Sequence, residues 1–162
     1  MLTPALERRA SSQQPKQEFS KDYLPLSRAI FAEPDYDFND DRIVVAGFSQ
    51  GGAVALQAAV RYPERLAGLV ALSTYLLLDD RLEQEAGEAN RGLPVFFGHG
   101  TQDPMVPCGL SQMAADRLRG MGYAVEWHDY PMQHAVCAEE IQDTRAWLLK
   151  ILKSDQALAS WS

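Results

Sequence analysis

Apolar residues along the chain gather into short continuous runs, separated by stretches with helical spacing. Ile43-Val44-Val45-Ala46 is the first run. It is rich in β-branched residues and too short for a buried helix, so it predicts a strand within 43–48 that is buried on both faces. Leu66-Ala67-Gly68-Leu69-Val70-Ala71-Leu72-Ser73 predicts a second such strand, and LPVFFG at Leu93–Gly98 a third. YAVEWHDY at Tyr123–Tyr130 alternates apolar and polar positions, as a strand at a sheet edge does. Between these runs the period changes. Ala53–Val60 is an Ala-rich helix, and Gly109–Met121 sets Leu110, Met113, Ala114 and Leu118 on one helical face. Ala138–Leu152 carries Ile141, Trp147, Leu148, Ile151 and Leu152 behind Glu139 and Glu140, two acids suited to a first turn. Asp79–Asn90 is polar and acidic and predicts a lid-like loop with a helical piece. Strands alternating with helices at this spacing make βαβ units, hence an α/β fold on a parallel sheet.

Upstream the pattern weakens. Met1–Ser20 is polar, with Ser11-Ser12-Gln13-Gln14-Pro15 at its centre, and predicts a disordered or loosely attached arm. Tyr23–Ala32 predicts a short helix with Pro25 near its first turn and Pro34 ending it, and Asp35–Asp41 an acidic turn. Residues 21–162 then form a single domain, the default for a chain of 162 residues.

Composition narrows the function classes. The net charge of −7, without a Lys/Arg cluster, argues against a nucleic-acid surface. No stretch approaches the ~20 apolar residues of a membrane span, and no apolar segment follows Arg8-Arg9 as a secretory signal requires. Cys108 and Cys137 lie outside any Cys-x-x-Cys spacing and read as free thiols of a reducing compartment. The expectation is a soluble cytoplasmic protein.

The chemistry concentrates at GFSQGG, Gly47–Gly52, between the first strand and its helix. Strand, Gly-x-Ser-x-Gly, helix is the context of a nucleophile elbow. Ser49 would occupy a sharp corner that lifts its hydroxyl above the sheet, with Gly47 and Gly51 letting strand and helix pass close together. The helix start would aim its amides at developing negative charge, with the Gln50 N–H as first oxyanion donor. A serine hydroxyl needs a base, and the base an orienting carboxylate. The chain holds three histidines. His134 follows the fourth strand on the loop side where Ser49 emerges. His128 lies inside that strand as a structural or solvent-facing ring, and His99, ending the third strand, reads as a hydrogen-bonded structural histidine. Asp103 follows the third strand at the same rim, where catalytic groups of open parallel sheets gather. A turn-forming Asp before Pro104 is its plainer reading, and Asp79, Asp80 and Asp129 compete for the role. The order Ser49, Asp103, His134 is that of α/β-hydrolases. Neither a metal-ligand spacing nor a Walker loop is present in the sequence, so no metal is expected.

GFSQGG, RYPERLAGLVALSTYL at Arg61–Leu76, GHGTQDPMVP at Gly98–Pro107 and YPMQHAVCAEEI at Tyr130–Ile141 carry a resemblance. From about Arg42 to Leu152 the chain resembles the phospholipase/carboxylesterase family, which includes bacterial carboxylesterases and acyl-protein thioesterases. The resemblance implies an α/β-hydrolase-like fold, a mostly parallel sheet of about four strands flanked by helices. It implies Ser49 as nucleophile, His134 as base and Asp103 as orienter, hydrolysing a small acyl ester or thioester through an acyl-enzyme without metal or organic cofactor. Leu76, Met105 and Val106 are candidate acyl-pocket walls, with ordinary packing as the alternative. Family members carry further strands and a His-Gly-x-Gly loop ahead of this region, and nothing in Met1–Asp41 resembles that loop. The expectation is the C-terminal two thirds of a hydrolase, N-terminally truncated, with turnover lowered ~10²–10³-fold for want of one oxyanion donor. Strand 43–48 would then be an edge covered by the N-terminal arm or by a second copy in a homodimer. The rival reading is a silent hydrolase remnant serving as an interaction or dimerisation module.

Overall fold

The computed structural model describes residues 42–77 and 79–159. The arm at 1–20, the helix at 23–32, the acidic turn at 35–41 and Leu78 lie outside the described residues. The elements are β1 Val44–Phe48, α1 Gln50–Arg61, β2 Gly68–Leu72, α2 Asp79–Glu85, a 3₁₀ turn Glu88–Asn90, β3 Pro94–Gly100, α3 Cys108–Gly120, β4 Ala124–Tyr130 and α4 Ala138–Ala159. Every predicted strand is present, but β1 is not buried on both faces as expected: it lies at the sheet edge with Ala46 and Phe48 exposed. Among the described residues the sheet is not mostly but wholly parallel, in the order β1-β2-β3-β4, with β1 and β4 at its edges.

Side chains alternate across the sheet with a period of two residues, and this sorts the core into two layers. Leu69, Ala71, Val95 and Phe97 face the layer filled by Ala55, Leu56, Ala59 and Val60 of α1 and Ala114, Ala115 and Leu118 of α3. Val70 and Phe96 face the other way, onto Trp147 and Ile151 of α4. Phe96 and Phe97 are fully buried on opposite faces. Each such burial stabilises by about 1.5–3 kcal/mol, so β3 anchors both layers.

Two further expectations are corrected. The buried face of α3 is Ser111, Ala114, Ala115 and Leu118, while Leu110 and Met113 are exposed. The helix is rotated from the apolar face because Ser111 has a hydrogen-bond acceptor inside, the Thr74 carbonyl, so a hydroxyl is accommodated in the core. The segment Asp79–Asn90 is not a lid. Leu82 is fully buried in the core, and the Asn90 side chain accepts from the Leu66 N–H at 2.8 Å and donates to the carbonyls of Tyr62 and Glu64 at 2.9 and 2.8 Å. Arg61 pairs with Glu85, tying α2 to α1.

Candidate active site

The corner between β1 and α1 is a strained one. Ser49 has φ 54 and ψ −125, a conformation that costs a non-glycine residue about 1–3 kcal/mol. The Ser49 N–H still donates to Leu72 O at 2.8 Å, continuing the β1–β2 ladder, and its carbonyl accepts from Ala53 N–H at 3.2 Å, starting the helix. Gly47 is required by sterics: a Cβ there would lie 2.4 Å from the Gly51 carbonyl oxygen. The second tight glycine is Gly52 rather than Gly51. A Cβ on Gly52 would meet the Thr74 Cβ at 2.7 Å, whereas a Cβ on Gly51 would meet nothing within 4 Å. Helix α1 has neither a side-chain cap nor an acid in its first turn, so its positive end is left unneutralised beside Ser49.

The other two side chains arrive on loops laced together. Thr101 N–H donates to Tyr130 O at 2.8 Å and Gln102 N–H to Met132 O at 3.0 Å, so the loop after β3 and the loop after β4 share hydrogen bonds. Gly100 lets them close, since a Cβ there would stand 2.3 Å from Gln133 O. His134 Nε2 lies 2.9 Å from Ser49 Oγ, and His134 Nδ1 lies 2.6 Å from Asp103 Oδ2. With the Nδ1 proton donated to the carboxylate, Nε2 is free to accept from the serine hydroxyl. Structure thus brings together Ser49, Asp103 and His134, which are far apart in sequence.

Asp103 is buried, and its Oδ1 accepts from the N–H groups of Met105 and Val106 at 2.8 and 2.9 Å. Burial alone would raise its pKa. The Val106 amide, the His134 ring and the Met105 amide outweigh that and hold it below the ordinary carboxylate value. Asp103 is therefore charged at neutral pH and stabilises the fold above the ordinary carboxylate range, a contribution lost as acid protonates it.

The remaining candidates fall elsewhere. Val106 is buried with its backbone engaged by Asp103 and by His99, whose Nε2 lies 2.9 Å from Val106 O. Met105 is exposed, and its part in the site is its amide. Leu76 packs partly buried against the main core. His99 is fully buried and stacks on Trp127, and its Nε2 reaches within 3.6 Å of Asp103 Oδ2. His128 is half-buried, stacked on Phe96 and paired with Glu126 at 3.0 Å, away from Ser49. Asp129 is exposed in β4, and Asp80 is exposed in α2. Cys108 opens α3, where burial and then the charges of Asp129 and Asp103 push its thiol up, so it is not an activated nucleophile. Among the described residues no cluster of three or more His, Cys, Asp or Glu side chains is placed to hold a metal.

Two contacts were not anticipated from sequence. The Phe48 ring lies 4.8 Å, centroid to centroid, from the His134 imidazole. The Thr74 hydroxyl donates to the Ser49 carbonyl at 2.7 Å. A hydroxyl residue just past a buried strand, opposite a doubled glycine, was the available signal for the second.

The chain matches the Phospholipase/Carboxylesterase family over residues 5–152. It is 41% identical over 126 residues to acyl-protein thioesterase 1 of Gibberella zeae, an alignment covering 76% of this chain and 54% of that protein. Its fold resembles acyl-protein thioesterase 2 of Zea mays with a TM-score of 0.69 at 26% identity, over 82% of this chain and 64% of that one. The carboxylesterase of Bacillus cereus shares the fold with a TM-score of 0.66 at 23% identity, over 81% of this chain and 62% of that one. The chain spans about half the length of the curated relatives it matches, 54% and 60% of two of them.

Proposed function

The chain belongs to the phospholipase/carboxylesterase family, and from that premise we propose that it hydrolyses small or short-to-medium-chain acyl esters or thioesters with Ser49 as nucleophile. The observation that carries this reading is the unbroken chain of contacts from Ser49 Oγ to His134 Nε2 at 2.9 Å and from His134 Nδ1 to Asp103 Oδ2 at 2.6 Å. Ser49 Oγ attacks the acyl carbonyl while Nε2 takes its proton. The tetrahedral oxyanion receives the Gln50 N–H at the uncapped start of α1. The imidazolium, held by the Asp103 carboxylate, then protonates the departing alcohol or thiol, leaving an acyl-serine. Water, deprotonated by His134, releases the acid and restores the serine. Asp103 acts as a fixed charge throughout and takes no proton itself.

The thioester part of the proposal draws on the relatives named acyl-protein thioesterase 1. Both cysteines are free thiols, which supports a reducing compartment such as the cytoplasm. Among the described residues no helix is long and apolar enough to cross a membrane. The proposed setting also includes a homodimer paired through β1, whose Ala46 and Phe48 are exposed.

A fluorophosphonate probe and a short-chain chromogenic ester, applied to wild type and Ser49→Ala, test the reading. Stoichiometric labelling at Ser49 with turnover that Ser49→Ala abolishes supports it. Folded protein that is neither labelled nor active refutes it in favour of a non-catalytic interaction module.

A further inference from the structure

We propose that Thr74 is a positioning residue of the oxyanion site: its hydroxyl, by holding the Ser49 carbonyl, sets the direction in which the Gln50 N–H points. The proposal rests on the hydrolase reading above and adds a residue to it.

One peptide plane, between Ser49 and Gln50, links the two groups. In a trans peptide the C=O and the following N–H point in opposite directions, and no cis peptide bond occurs among the described residues. The Thr74 hydroxyl donates to the Ser49 carbonyl at 2.7 Å from a fully buried position. Gripping that oxygen on the inner side leaves the Gln50 N–H facing away from the core, toward the side where Ser49 Oγ and His134 meet. The Ala53 N–H reaches the same carbonyl at 3.2 Å, the longer of the two contacts. Ser49 is strained at φ 54, so removing the shorter contact gives its peptide reason to rotate toward an ordinary helix start and carry the Gln50 N–H out of line.

Thr74 is itself held from three sides. Ser73, the residue before it, has φ 45, and its N–H donates to Gly98 O at 2.8 Å. The Thr74 carbonyl accepts from the hydroxyl of Ser111, fully buried in α3. Gly52 removes the one Cβ that would collide with Thr74. Because α3 follows the loop bearing Asp103, this relay of hydroxyls puts the Ser49 corner and the Asp103 loop on a common frame.

A packing role and a hydrogen-bonding role for Thr74 predict opposite rankings of two substitutions. Thr74→Val keeps the volume and loses the donor, while Thr74→Ser keeps the donor and loses a methyl group. The test measures fluorophosphonate labelling rate, kcat and KM on a chromogenic ester, and melting temperature for both. The expected result is a fall of about 10–100-fold in labelling and kcat for Thr74→Val at nearly constant KM, with Thr74→Ser near wild type. Labelling of Thr74→Val at the wild-type rate overturns the proposal and leaves the hydrolase reading standing. If wild type itself is not labelled, the hydrolase reading fails separately, and the amide resonance of Gln50 decides: a marked shift on Thr74→Val alone supports the proposed orientation, and an unmoved resonance overturns it. Should Thr74→Val not fold, Thr74→Ala, which differs from Thr74→Ser only in lacking the hydroxyl, replaces it with the same outcomes.

Discussion

Asp103 and His134 meet at 2.6 Å through Oδ2 and Nδ1, while Asp103 Oδ1 is occupied by the amides of Met105 and Val106. The two carboxylate oxygens have separate tasks: Oδ1 fixes the plane of the group and Oδ2 fixes the imidazole. Asp103→Asn keeps the shape but has only one acceptor oxygen. With two backbone amides claiming that oxygen, its NH₂ is turned toward Nδ1, and the proton of His134 is driven to Nε2, where it blocks acceptance from Ser49. Ester turnover should fall about 10³–10⁴-fold with the circular dichroism spectrum unchanged. A variant within tenfold of wild type would show that the carboxylate does not set the tautomer.

Glu140 offers a prediction about stability. Its side chain is fully buried at the start of α4, neither carboxylate oxygen has a hydrogen-bond partner among the described residues, and burial raises its pKa from 4.5 to about 7. Between those two values the folded chain binds more protons than the unfolded one, so stability falls as pH rises through that window and levels off above it. The loss amounts to roughly 3 kcal/mol at most. Glu140→Gln should flatten the profile and exceed wild type in stability at pH 8, measured by urea denaturation at pH 5.5 and pH 8. Equal slopes for wild type and variant would show that the carboxyl does not carry the effect.

The two central strands were legible in sequence because the apolar runs of β2 and β3 are buried whichever face they present, so the pattern survives without knowledge of the partner layer. The Ser49 corner was legible because Gly-x-Ser-x-Gly stands between an apolar strand and an Ala-rich helix, while the tight fit of Gly52 against Thr74 shows only in the fold. The rotation of α3 was not, since Ser111 looks polar until the Thr74 carbonyl is seen beneath it. Leu110 and Met113 have helical spacing but are exposed. Asn90 closes a segment whose polar, acidic pattern predicts a lid-like loop with a helical piece, because its buried hydrogen bonds reach back more than twenty residues and no local window contains both ends. Contacts that satisfy buried polar groups are the part of this fold that hydrophobic periodicity does not encode.

Strand β1 pairs with β2 on one side and stands at the edge of the sheet among the described residues, with Phe48 37% exposed. An apolar edge of this kind invites pairing with a second copy. Sedimentation velocity at micromolar concentration should show a dimer, with slow amide exchange at Val44, whose N–H faces the open edge because the backbone groups of Ile43 and Ser49, in step with Val45, point to β2. Ala46→Lys, which places a charge on the exposed position, should give a monomer with faster exchange there. A monodisperse wild-type monomer with fast exchange at Val44 would sink the dimer proposal.

The three glycines around the elbow should respond differently to the same added methyl group. At Gly47 the new Cβ would stand 2.4 Å from backbone oxygen of Gly51, and at Gly52 it would stand 2.7 Å from Thr74, whereas at Gly51 it meets open space. Backbone oxygen cannot swing aside as a side-chain tip can, so Gly47→Ala must pry β1 from α1, and a destabilisation of about 3 kcal/mol or more follows. Gly52→Ala pushes on a threonine held on its other side by Ser111, and a loss of about 1–3 kcal/mol is expected. Gly51→Ala, exposed in the first turn of α1 and without a positive φ, should stabilise by about 0.4–1 kcal/mol through the lower entropy of the unfolded chain. Denaturant midpoints of the three variants order the sites directly. A Gly51→Ala variant as unstable as Gly47→Ala would mean that the elbow is closed more tightly around residue 51 than the geometry described above allows.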